Sequence, residues 1–144
     1  MNKKVLSILL IFVVFFGIGS QSFAAPAPPL TSLRVIRVSS EKAGTEYIGR
    51  NQLSTNYDHG GSFIHVTTEE IGYSSYRYAA FNREKAELIN SKPIVGRDNI
   101  AIGFERTWKL FVFDNDASNQ GDFTYEAMSS NAPYNTMSTS IFIK

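Results

Sequence analysis

The chain has 144 residues, with 14 Lys and Arg against 13 Asp and Glu, a formal net charge of +1 and no cysteine. That length bounds it to one domain, and the lack of thiols excludes disulfides, Cys-ligated zinc and thiol catalysis. Balanced charge without a basic block argues against nucleic acid or an anionic membrane as the main partner.

Residues 1–24 read as a secretory signal peptide. Asn2, Lys3 and Lys4 make a positive start, Val5 to Ile18 an apolar run, and Gly19 to Ala24 a small, polar tail. Ser22 and Ala24 stand at the small-residue positions that the peptidase reads, so cleavage is expected after Ala24. The apolar run is shorter than the ~20 residues of a spanning helix. No cysteine is present to take a lipid. The expected product is extracellular, with no stable membrane anchor. It keeps 120 residues (144 less 24) and, without Lys3 and Lys4, has 12 basic against 13 acidic groups, a net charge near −1.

Pro26, Pro28 and Pro29 make residues 25–31 a loose extended leader. The domain proper is expected over 32–144, and its pattern is β nearly throughout. Leu33 to Val38 reads as a first strand. A turn follows at Glu41 to Gly44, then a short strand at Thr45 to Ile48 and a polar loop from Asn51 to Gly61. Ser62 to Ile71 alternates with period two, with Ile64, Val66 and Thr68 on one face. Only Gly72 separates it from a strand over Tyr73 to Phe81, which suggests a hairpin. In that strand Tyr76, Tyr78 and Ala80 share a face, and core filling is the favoured role for the tyrosines.

Arg83 to Asn90 has helical composition and is too short for an independent helix. A loop or a single helical turn is expected there. Pro93 makes Ser91 to Val95 an edge segment. Ile100 to Glu105 alternates as a strand, and Trp108 to Phe113 is apolar on both faces, as a central strand would be. Asp122 to Met128 and Met137 to Ile143 follow as strands on either side of a loop at Pro133. About eight short strands parted by polar turns predict an all-β fold: a single-domain antiparallel β-sandwich or a flattened barrel.

Reactive side chains concentrate at Ser54 to Gly61. Asp58 would orient His59 in a hydrolase, with Ser54 or Tyr57 activated by the imidazole. A self-bonded loop explains the same residues. His59 and His65 with Asp58 lack the further ligand that zinc needs. Asp114, Asp116 and Asp122 alternate as in a calcium loop, but Asn119 and Tyr125 stand where an EF-hand has Gly and Glu, and a hairpin turn accounts for the run more simply.

Ser40 to Gly44 and Ser54 to Gly61, together with Asn131 to Ser138 and the final Ile141 to Lys144, resemble the YolA-like small secreted bacterial proteins. The resemblance covers most of the mature chain. It implies secretion, a bacterial origin and one β-rich domain, and it implies no activity. The leading expectation is a non-catalytic extracellular domain without cofactor that binds a glycan or a protein. Its expected ligand residues are Tyr57, Asp58, His59, Asn131, Tyr134 and Asn135, which form one patch if both loops fall at the same end of the sandwich. The rivals are a small hydrolase using Asp58 and His59, and a module stabilised by calcium.

Overall fold

The computed structural model describes residues 27–112 and 119–144. The signal reading over 1–24 and the proposed ligands Asp114 and Asp116 lie outside those residues. The described chain forms nine strands: β1 (Ser32–Ser40), β2 (Gly44–Tyr47), β3 (Ile64–Ile71), β4 (Ser74–Phe81), β5 (Glu84–Lys85), β6 (Glu87–Val95), β7 (Ala101–Leu110), β8 (Gly121–Ser129) and β9 (Thr136–Ile143). They build two antiparallel sheets, ordered β2-β1-β3-β7-β6 and β5-β4-β8-β9. The arrangement is open and sandwich-like, as the period-two pattern predicted, and is not a closed barrel.

The core lies where inward positions of the two sheets meet. Ile64 and Val66 of β3 and Trp108 and Leu110 of β7 face Phe81 of β4, Phe123 and Tyr125 of β8, and Ile141 and Ile143 of β9. In β1 a bulge at Ile36 resets the period, so Leu33 and Val35 and then Val38 all reach the core. β8 shows strict alternation, with Phe123, Tyr125 and Ala127 buried between exposed neighbours.

Four local expectations change. β3 and β4 do not form a hairpin, because the chain crosses at Gly72 from the five-stranded sheet to the four-stranded one. There the Gly72 N–H donates to Ile102 O at 2.8 Å and the Tyr73 N–H to Pro28 O at 3.0 Å. The 83–90 segment is not helical. Asn82 and Arg83 both have positive φ (50° and 73°), as a tight hairpin turn requires, and β5 and β6 follow as exposed strands. Pairing with β4 and β7 overrides helical composition there. The two strands expected at Ile100 to Glu105 and Trp108 to Phe113 are, over the described residues, one strand, β7, lying between β3 and β6. Finally, the leader is pinned over its described part. Leu30 is buried, its N–H donates to Ser129 Oγ at 3.1 Å, and the Thr31 N–H donates to Ile71 O at 2.8 Å.

Gly72 permits this crossing. Its φ is +98°, and a Cβ at this position would lie 2.0 Å from Pro29 O. Gly72→Ala is therefore expected to cost at least about 2 kcal/mol and to free residues 27–31. Urea unfolding would measure the loss, and hydrogen exchange at Thr31 would report the release. A variant with wild-type stability and protection would refute the account.

The free side of β9 is met at Phe142 by the 49–61 loop. Phe142 donates its N–H to Leu53 O and accepts from Thr55 N–H, both at 2.9 Å, and Ser54 bridges Phe142 in parallel. At the other margin β6 is the last strand of its sheet, with Pro93 within it.

Candidate functional site

His59 is the most buried of the expected site residues, 1 % exposed. Its Nδ1 lies 2.9 Å from Ser40 Oγ and its Nε2 3.3 Å from Glu46 Oε2. One tautomer satisfies both contacts: Nε2–H donates to Glu46, and Nδ1 accepts from the Ser40 hydroxyl. A hydroxyl, an imidazole and a carboxylate in this order resemble a nucleophile, its base and an orienting group. Here, however, all three are buried. Ser40 Oγ also accepts the Ala43 N–H at 3.1 Å, and Glu46 accepts the N–H groups of Asn56 (2.8 Å) and Tyr57 (3.1 Å) and the amide of Gln52 (2.7 Å). The cluster ties the loop to β1 and β2.

Burial by itself would raise the Glu46 carboxyl. The donors from Asn56, Tyr57, Gln52 and His59 outweigh it and hold the carboxyl below the ordinary carboxylate value. Asp58 does not orient His59. It is exposed and pairs with Lys42 Nζ at 2.7 Å. Tyr57 points outward, exposed.

Asn131, Tyr134 and Asn135 lie elsewhere. They belong to the turn before β9, which contains the cis Ala132–Pro133 peptide, whereas the His59 N–H donates to Lys144 O just beyond the far end of β9. The eight residues of β9 separate the two loops, about 25 Å of strand. The condition for a single patch, both loops at one end of the sandwich, is therefore not met. Asn131 Nδ2 donates to Ala27 O, and Asn135 Nδ2 to Leu30 O at 3.4 Å, so both amides hold the 27–31 segment. Tyr134 is exposed.

A second buried cluster lies between the sheets, and the sequence reading missed it. Glu70 of β3 is fully buried. Its Oε2 accepts from Arg106 Nε of β7 at 3.1 Å and from the Tyr125 hydroxyl of β8 at 2.8 Å, and its Oε1 accepts from Ser74 Oγ of β4 at 2.6 Å. Arg106 also donates to Ser91 Oγ at 2.7 Å, and its guanidinium lies 4.6 Å from the centre of the Phe104 ring. Burial first, and then the Glu70 charge, push the Tyr125 hydroxyl well above the ordinary phenol range, so it stays a donor. Continuing the Ile64, Val66, Thr68 face by one step reaches Glu70, and that extension was the available signal.

The outward faces of the two sheets differ in chemistry. That of the five-stranded sheet carries the ion pair of Arg34 and Glu69, 2.7 Å apart. On it His65 stacks on Phe63 with ring centres 4.7 Å apart, its pKa lowered by burial and then by the Lys109 charge. The outward face of β4, β8 and β9 has aromatic and hydroxyl side chains. Tyr76 and Tyr78 are 49 % and 39 % exposed, so the favoured core role for them does not hold. Register sets Tyr78 beside Glu126 and Ser138, and Ala80 beside Thr124 and Ser140. Asp122, the one described member of the expected calcium set, lies beside Phe142 in the next row. Among the described residues, no cluster of His, Asp and Glu is placed to hold a metal ion.

No curated protein matches the chain. A family model described as Domain of unknown function (DUF4879) matches residues 25–143, nearly all of the sequence beyond the expected signal. The chain therefore belongs to the DUF4879 family of domains of unknown function.

Proposed function

We propose that the chain is a secreted, non-catalytic binding domain, and that the outward face of β4, β8 and β9 takes a neutral glycan. The observation that carries this reading is the pair Tyr76 and Tyr78, side by side and half-exposed on a sheet face that also carries hydroxyls, carboxylates, Met128 and Phe142. Tyrosine rings stack on the apolar faces of sugar rings while keeping the hydroxyl in water. Thr124, Thr136, Ser138 and Ser140 supply donors and acceptors for sugar hydroxyls. The export reading rests on residues 2–24 and agrees with the YolA-like resemblance.

His59, Asn131 and Asn135 support the loops in this reading and do not contact the ligand. Replacing Tyr76 and Tyr78 together with alanine should weaken binding of a neutral oligosaccharide by about tenfold to a hundredfold. The melting temperature should move by no more than about 2 °C, since both rings stand outside the core. Isothermal titration with cellohexaose and with its N-acetylglucosamine counterpart is the measurement. Unchanged affinity in the double variant would exclude this face.

A further inference from the structure

Two grooves open on the same sheet and share Thr124. One, of about 580 Å³, is lined by Tyr78, Ala80, Asn82, Arg83, Asp122 and Thr124. The other, of about 410 Å³, takes in Thr124, Ser138 and Ser140 and continues over β9 to Gln52 and Leu53, with Arg34 and Arg50 on its far wall. The cross-strand row Ala80, Thr124, Ser140 runs through both and contains no bulky side chain. Its neighbours on either side bring Tyr78 and Phe142. The result is a channel one residue row wide that crosses the strands, about 10 Å from β4 to β9.

We infer that a neutral polysaccharide lies in this channel, across the strands, with one sugar on Tyr78 and its neighbour over Thr124 and Ser140. The inference rests on the glycan reading above and adds the path and polarity of the ligand. Three features favour this occupant. The floor is small and hydroxylated, so it admits a flat ring and bonds to its edge. Asp122 and Arg83 at the β4 end are planar groups that can each engage two adjacent hydroxyls. The charges along the grooves are mixed, Asp122 and Glu126 on β8 against Arg83, Arg34 and Arg50, so the lining has no single-sign field that would select a charged polymer. A globular protein partner would rest on Tyr76 and Met128, outside the channel, as much as on Tyr78.

The test fills the channel and leaves the tyrosines in place. Thr124→Leu and Ser140→Leu put bulk on the floor at outward positions and should each reduce cellohexaose or N-acetylglucosamine hexamer affinity at least about tenfold. In the unaltered protein, amide shifts on titration should concentrate at Ala80, Thr124 and Ser140, and hexagalacturonate should bind more weakly than either neutral chain. If both leucine variants bind as wild type does while Tyr78→Ala does not, the channel is wrong and the tyrosine face stands. Tighter binding of hexagalacturonate overturns the assigned polarity. If the unaltered protein binds neither neutral hexasaccharide, the channel and the glycan reading fall together.

Discussion

Glu70→Ala is expected to destabilise the domain by about 3–5 kcal/mol, a large share of the ~5–15 kcal/mol that holds a typical domain folded. The alanine would leave Arg106 charged and buried, with Ser91 Oγ as its remaining side-chain hydrogen-bond partner. It would also strip the Tyr125 hydroxyl and Ser74 Oγ of the acceptor they share. Each orphaned donor adds a desolvation cost, and the unpaired guanidinium adds the most. Removing both charges should hurt less than removing one. A Glu70→Leu, Arg106→Met double variant should recover part of the loss, with clear non-additivity in urea unfolding. A loss below about 1 kcal/mol in Glu70→Ala would mean that water or rearrangement satisfies Arg106, and would remove the cluster from the account of stability.

The second large effect is expected at Glu46. Its carboxylate accepts from two backbone N–H groups, from Gln52 and from His59, so Glu46→Ala unties the 49–61 loop at four points. A cost of about 3 kcal/mol is expected, together with faster hydrogen exchange at Asn56 and Tyr57. His59→Ala should likewise act on stability, since the imidazole is enclosed between Ser40 and Glu46.

The acid dependence has a definite sign. The folded-state pKa of Glu46 lies below its ordinary 4.5. Its contribution is therefore complete above that value and is lost as pH falls from 4.5 through the folded-state pKa. Melting curves from about pH 7 to about pH 3 should show the wild type losing stability faster than Glu46→Ala on the acid side. Parallel curves would show that the carboxylate is not held by these bonds in solution.

Strands with local periodicity were legible from residues alone. β3, β8 and β9 were expected as strands, and the alternation of β3 set Ile64, Val66 and Thr68 on one face, which the structure buries. What escaped were relations between residues distant in sequence. Gly72 reads as a hairpin break, yet its N–H belongs to Ile102 and its neighbour's to Pro28, partners that no local pattern contains. Glu84, Lys85 and Glu87 favour a helix by composition, and pairing with β4 and β7 makes them strand.

At the candidate site, adjacency in sequence misled. Asp58 beside His59 suggested a pair, but the carboxylate on His59 is that of Glu46, 13 residues away, while Asp58 faces Lys42. The Tyr57 and Tyr134 loops share polar composition but sit at opposite ends of β9. Strand direction decides that, and composition carries no trace of it.

The backbone at Leu53 to Thr55 takes both hydrogen-bonding groups of Phe142 on the free side of β9, so a strand from another molecule cannot add at that end of the strand. β6 is the long margin of the five-stranded sheet, exposed along nearly all its length, and it carries Lys92 and Pro93 near its middle. A missing N–H and a charge that must stay hydrated interrupt the ladder a second chain would need. A domain without disulfides thereby hinders edge-to-edge pairing along β6 and at the C-terminal end of β9 by the placement of two residues and one loop.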